Sequence, residues 1–112
     1  MEKNNQRLEE IRKNLEEKFP DFPRGRCVDA VAEIKMNLGY EVVGGIFFLD
    51  PNDSNKGPYE CHYWNFDPKT NRYIDLSADQ FPTIAEKIFI TNKGDPHYRE
   101  FPFPLLHYPL TF

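Results

Sequence analysis

Residues 59–66 read Y-E-C-H-Y-W-N-F and residues 72–77 read R-Y-I-D-L-S, with D-P-K-T-N between them. Both runs are dense in aromatic and aliphatic side chains, and the five residues that join them are turn formers. They read as the two strands of an antiparallel hairpin. Asn71 is the residue of that turn able to take a left-handed backbone. A hairpin of this kind commits the chain to an antiparallel sheet, and the remaining elements have to cover its apolar side.

Two helices precede it. In residues 2–19, Leu8, Ile11, Leu15 and Phe19 recur at steps of three and four, which makes one apolar stripe on an otherwise charged surface. Glu9 and Lys13 are oriented for a favourable i,i+4 pair, and Pro20 stops the helix. Residues 20–26, P-D-F-P-R-G-R, form a stiff loop. Residues 27–38 form the second helix, with Cys27, Ala30, Val31, Ile34 and Leu38 on one face and Gly39 as a left-handed C-cap. Residues 41–49 read as a strand with a bulge at Gly44–Gly45, residues 50–58 as a polar loop, and residues 86–91 as a further strand before a turn at 92–94. The tail, 95–112, carries four prolines and many aromatics. It is too apolar for a disordered tail and is expected to pack as an extended segment over the sheet. The fold class is α+β: two helices packed on an antiparallel sheet of three to five strands, in a single domain spanning 1–112.

At 112 residues the chain can bury a real, if modest, core. Ten Phe and 15% aromatic residues make that core aromatic-rich. A mean hydropathy of -0.70 fits a soluble protein. The net charge of -4 and the lack of a basic stripe argue against nucleic-acid binding. No apolar run approaches the roughly 18 residues of a membrane span, and the first ten residues lack a signal-peptide core. The expected location is cytoplasmic, with secretion by a leaderless route left open. Two cysteines make no disulfide framework, although one bridge between them is compatible with the sequence. No cofactor or metal is expected. The 50–58 loop has Pro51 at the second position of a calcium loop, lacks the sixth-position glycine and has Cys61 at the twelfth. Cys27, Cys61 and His62 lack zinc spacing and a fourth ligand.

The chemistry-bearing residues are Cys27, His62 and Asp75. A cysteine attacks as its thiolate, which a free thiol of pKa about 8.5 supplies only to a few per cent at neutral pH. A helix N-terminus and a neighbouring imidazolium both favour the thiolate. Cys27 has the first by position, and His62 supplies the second if its strand packs on the helix. The Cys27 backbone N–H can also serve an oxyanion. Strand alternation puts Glu60, His62 and Trp64 on one face and Cys61, Tyr63 and Asn65 on the other. Counted from the turn, His62 and Asp75 form a near-diagonal cross-strand pair. The carboxylate can then hold the imidazole's tautomer and stabilise its cation.

The helix-start cysteine, the H-x-W of His62 to Trp64 and the I-D-L-S-A-D-Q-F of Ile74 to Phe81 resemble the papain-like and transglutaminase-like cysteine hydrolase superfamily. The likeness is strongest to small bacterial members, including papain-fold toxin domains, and covers residues 22–91. The resemblance implies a papain-like core and a triad: Cys27 as nucleophile, His62 as general base and acid, Asp75 as orienter. It also implies a protein or peptide-like substrate. Gln80 and Trp64 are candidate substrate or oxyanion residues, although Trp64 also reads as core. Papain carries an oxyanion glutamine six residues before its cysteine; Asp21 stands there in this chain, so the resemblance assigns no second oxyanion donor. The chain also lacks the length for papain's second lobe.

The expected function is a cysteine hydrolase or acyl transferase acting on an amide or thioester, of protease, deamidase or transglutaminase type. The alternative is an inactive papain-like scaffold that binds a partner protein through the aromatic tail. His97 and His107 belong to no motif.

Overall fold

The computed structural model describes residues 2–49 and 59–101. The 50–58 loop and residues 102–112, with His107, lie outside them. Two helices, α1 (Glu2–Lys18) and α2 (Cys27–Leu38), precede five strands: β1 (Glu41–Phe48), β2 (Tyr59–Asp67), β3 (Arg72–Asp75), β4 (Phe89–Asn92) and β5 (Tyr98–Glu100). Every pairing is antiparallel and the order is β4-β3-β2-β1-β5. The sheet is curled like a half-barrel, and the fold is α+β. No described helix is long and apolar enough to cross a membrane.

The helices follow their stripes. Leu8, Ile11 and Leu15 of α1 meet Ala30 and Ile34 of α2 and Ile74 and Leu76 from the β3 region in one buried cluster. Burying each large aliphatic side chain stabilises the fold by about 1.5–3 kcal/mol. Gly39 ends α2 at φ 74°, and its N–H bonds the Lys35 carbonyl. The other side of the sheet holds an aromatic cluster: Phe47, Trp64, Tyr73, Phe81 and Tyr98 with Ala78 and Ile84.

The hairpin closes as its turn residues dictate. Asp67 pairs with Arg72, Asn71 takes φ 58°, and the Asp67 carboxylate accepts from the Lys69 N–H and the Thr70 hydroxyl. Two strand expectations need correction. There is no bulge in β1, because Glu41 to Phe48 pair without interruption with Phe66 to Tyr59. The expected 86–91 strand starts only at Phe89, and part of the tail becomes β5, hydrogen-bonded to the β1 edge instead of lying over the sheet.

Gly45 is required for a reason other than a bulge. A Cβ there would stand 2.1 Å from the Arg99 carbonyl oxygen on β5 and 2.6 Å from Trp64 Cη2. Both neighbours are fixed, one by the backbone ladder and the other by full burial. Gly45→Ala is therefore expected to cost about 1–3 kcal/mol. Urea denaturation should show this as a lower midpoint, with hydrogen exchange at Arg99 and Glu100 accelerated more than in α1.

Candidate active site

Asp75 ends β3 and is 2% exposed. An ionised carboxylate so deeply buried is tolerable only when its lone pairs are filled. Here they are. Oδ1 accepts from the Ser77 N–H at 2.9 Å and the Ser77 hydroxyl at 3.2 Å. Oδ2 accepts from the Tyr98 hydroxyl at 2.8 Å and faces His62 Nε2 at 2.7 Å. Burial pushes the Asp75 pKa up, but the charge and hydrogen bond of His62, together with Ser77 and Tyr98, outweigh it and hold it below the usual value.

The register explains how Asp75 meets His62. Asn65 is opposite Ile74, so Asp75 is level with Trp64, and His62 is its diagonal neighbour on the same face. The His62 ring is boxed by aromatics: Phe81 edge-on at 5.0 Å, Phe47 at 6.0 Å and Trp64 at 6.2 Å. It is 2% exposed. Burial opposes the imidazolium, but Asp75, by charge and hydrogen bond, and then Cys27, by hydrogen bond and charge, raise its pKa to about 9. With Nε2 facing Asp75, the ring's Nδ1 is the nitrogen left for the Cys27 sulfur.

Cys27 is the first residue of α2 and is half-buried, whereas Cys61 is exposed; both are free thiols. Arg26 gives α2 no side-chain cap, so first-turn N–H groups, that of Cys27 among them, have no capping side chain. Asp29 adds a negative charge in the same turn and pairs with Arg26 at 3.7 Å. Asp21, in the place of papain's glutamine, pairs with Arg26 at 3.3 Å and, as a carboxylate, has no hydrogen to donate.

A shallow cleft is lined by Arg24, Leu49, Glu60, Gln80, Phe81 and Pro82, and it shares Phe81 with the aromatic box around His62. Gln80 Oε1 accepts from the Gly25 N–H at 3.5 Å, two residues before Cys27, and Gln80 Nε2 donates to the Ser77 carbonyl at 3.0 Å. Gln80 thus links the loop before the cysteine to the turn after Asp75. Trp64, the other candidate substrate residue, is fully buried in the aromatic cluster. Its indole N–H has no hydrogen-bond partner among the described residues. Among the described residues, no cluster of His, Cys, Asp or Glu could hold a metal ion.

The sequence reading missed Ser77 and Tyr98. Ser77 carries a local signal, since a serine two residues after an aspartate can return two hydrogen bonds to it. Tyr98 carries none, because only the curl of the sheet brings β5 to β3.

Two outcomes test the electrostatics. In Asp75→Asn, burial acts on His62 without the carboxylate, so NMR titration should place the His62 pKa well below about 9. The raised pKa also makes His62 a stabilising group whose contribution is complete below its ordinary 6.5 and lost as pH rises from 6.5 to about 9. Wild-type protein should lose stability across that window, on the order of 3 kcal/mol, and Asp75→Asn should lose far less.

No family model, no curated protein and no solved structure matches the chain.

Proposed function

We propose that the protein is a cysteine hydrolase or acyl transferase of the papain-like and transglutaminase-like kind, acting on an amide or thioester carbonyl. The observation that carries this reading is the buried His62–Asp75 pair at 2.7 Å, with the half-buried Cys27 thiol at the start of α2 near enough to help raise the His62 pKa.

In the proposed reaction the Cys27 thiolate attacks the carbonyl carbon. The carbon–oxygen double bond opens to an oxyanion that the Cys27 N–H can meet at the start of α2. The His62 imidazolium gives its proton to the leaving amine or thiolate, and the carbonyl reforms as an acyl-thioenzyme. Water, or an incoming amine, then attacks while His62 takes its proton. The acyl–sulfur bond breaks and the thiolate and imidazolium are restored. Asp75 keeps the ring oriented and stays ionised throughout. The cleft beside Gln80 mixes Arg24 and Glu60 with Leu49, Phe81 and Pro82, a lining suited to a peptide-like chain with polar and apolar parts.

Thiol alkylation tests the reading, because exposure and activation predict opposite orders. Cys61 is the more exposed thiol, so accessibility alone makes it label first. Iodoacetamide near neutral pH should instead label Cys27 at least about tenfold faster. His62→Ala should remove most of that advantage and leave the Cys61 rate unchanged. If Cys61 labels as fast or faster in the wild type, the nucleophile assignment falls.

A further inference from the structure

We propose that Tyr98 is a positioning residue of this site: its hydroxyl, bound to the same Asp75 oxygen that faces His62, holds the carboxylate in place for the imidazole. The role in catalysis rests on the hydrolase reading, whereas the contact itself does not.

Strand order makes this contact informative. Asp75 is on β3 and Tyr98 on β5, with β2 and β1 between them. In a flat sheet three strand spacings would separate the two backbones by about 14 Å, beyond what a tyrosine and an aspartate side chain can span. The curl closes that distance, and the hydroxyl donates to Oδ2 at 2.8 Å. Tyr98 crosses the concave face to get there. Its ring packs on Trp64 at 4.7 Å, Phe47 at 5.1 Å and Tyr73 at 5.4 Å, and the residue is 6% exposed. A phenylalanine would make the same ring contacts, so the hydroxyl is the part these contacts leave unexplained.

The approach is built from both ends of β5. Before it, Asp95 accepts from the Thr91 hydroxyl and the His97 N–H, which ties the turn that delivers Tyr98. After it, Glu100 accepts a hydrogen bond from the Tyr73 hydroxyl on β3, a second bond across the concave face. Gly45 leaves the space that lets Arg99 pair so closely.

The titratable groups around Asp75 are His62 and Tyr98 in contact, Cys27 beyond His62, and Tyr73, Asp95 and Glu100 around Tyr98. Burial and the Asp75 charge push the Tyr98 phenol far up, so it stays a donor wherever the protein is folded. Its loss leaves Oδ2 with one donor instead of two and makes the carboxylate easier to protonate.

The experiment is a double-mutant cycle between Tyr98→Phe and Asp75→Asn, read by the Cys27 alkylation rate across roughly pH 5–9. Tyr98→Phe should slow labelling by about three- to tenfold. In the Asp75→Asn background the same change should matter by less than about twofold. A purely structural hydroxyl would cost the same in both backgrounds, and that result overturns the proposal. Asp75 carboxyl carbon NMR reads the contact without any chemistry: Tyr98→Phe should raise the apparent midpoint by about half a unit to one unit, and an unmoved midpoint also overturns it. Should wild-type Cys27 label no faster than Cys61, the hydrolase reading fails alone, and the carboxyl titration decides whether Tyr98 governs Asp75.

Discussion

A carboxylate with almost no exposure sits at the end of β3, and the fold around it is organised to keep it satisfied. Asp75 takes hydrogen bonds from β2, from β5 and from the turn that follows it. Removing an ion from water costs several kcal/mol even after relaxation, so every one of those donors has to be in position before burial is favourable. This couples distant segments. The hairpin register supplies His62, the curl supplies Tyr98, and the Asp-x-Ser turn supplies two bonds locally. The same bonds that make the buried charge tolerable also orient the imidazole, so stability and the candidate chemistry draw on one set of contacts.

A buried cation answers it on the other side of the same turn. Arg12 of α1 is 5% exposed. Its guanidinium forks onto both Asp79 carboxylate oxygens at 2.7 and 2.8 Å, and also donates to the Leu76 and Lys87 carbonyls and to Glu16. Its carbon lies 4.7 Å over the centre of the Phe22 ring. A planar five-donor group suits this position and an ammonium would not. The arrangement ties α1 to the segment that carries Ser77 and Gln80, so the N-terminal helix fixes the turn that in turn holds Asp75. Composition does not reveal this, because an arginine at that point of an amphipathic helix reads as one more solvated charge.

How much of this was legible follows from whether a contact is local or depends on curvature. The apolar stripes placed both helices nearly to the residue. The D-P-K-T-N turn placed the hairpin, and alternation along β2 put His62 on the face that Asp75 shares. All of these arise from periodicity and turn chemistry within short stretches. Three features do not. Gly45 reads as a bulge from sequence, yet its requirement is space, set by a strand more than fifty residues later. Trp64 belongs to a recognisable His-x-Trp pattern, but being two residues from His62 on a concave face sends it into the core. Tyr98 lies in an aromatic, proline-containing tail where every ring looks alike. Only the curl selects the one that crosses to Asp75.

The distribution of exposure adds a constraint on how such a site can work. His62 and Asp75 are almost completely buried, while Cys27 is not. In the proposed reaction the substrate therefore touches sulfur and the first turn of α2, and meets the imidazole only along the side that faces the sulfur. The rest of the relay stays dry. Low dielectric strengthens the attraction between imidazolium and carboxylate, which is the physical reason His62 holds its proton up to about 9. In the proposed cycle the resting imidazolium is the form that protonates the leaving group, and the neutral ring left in the acyl-thioenzyme is the form that takes a proton from water or an incoming amine. The raised pKa makes that neutral ring a strong base, and the Asp75 carboxylate stabilises the cation each time it forms.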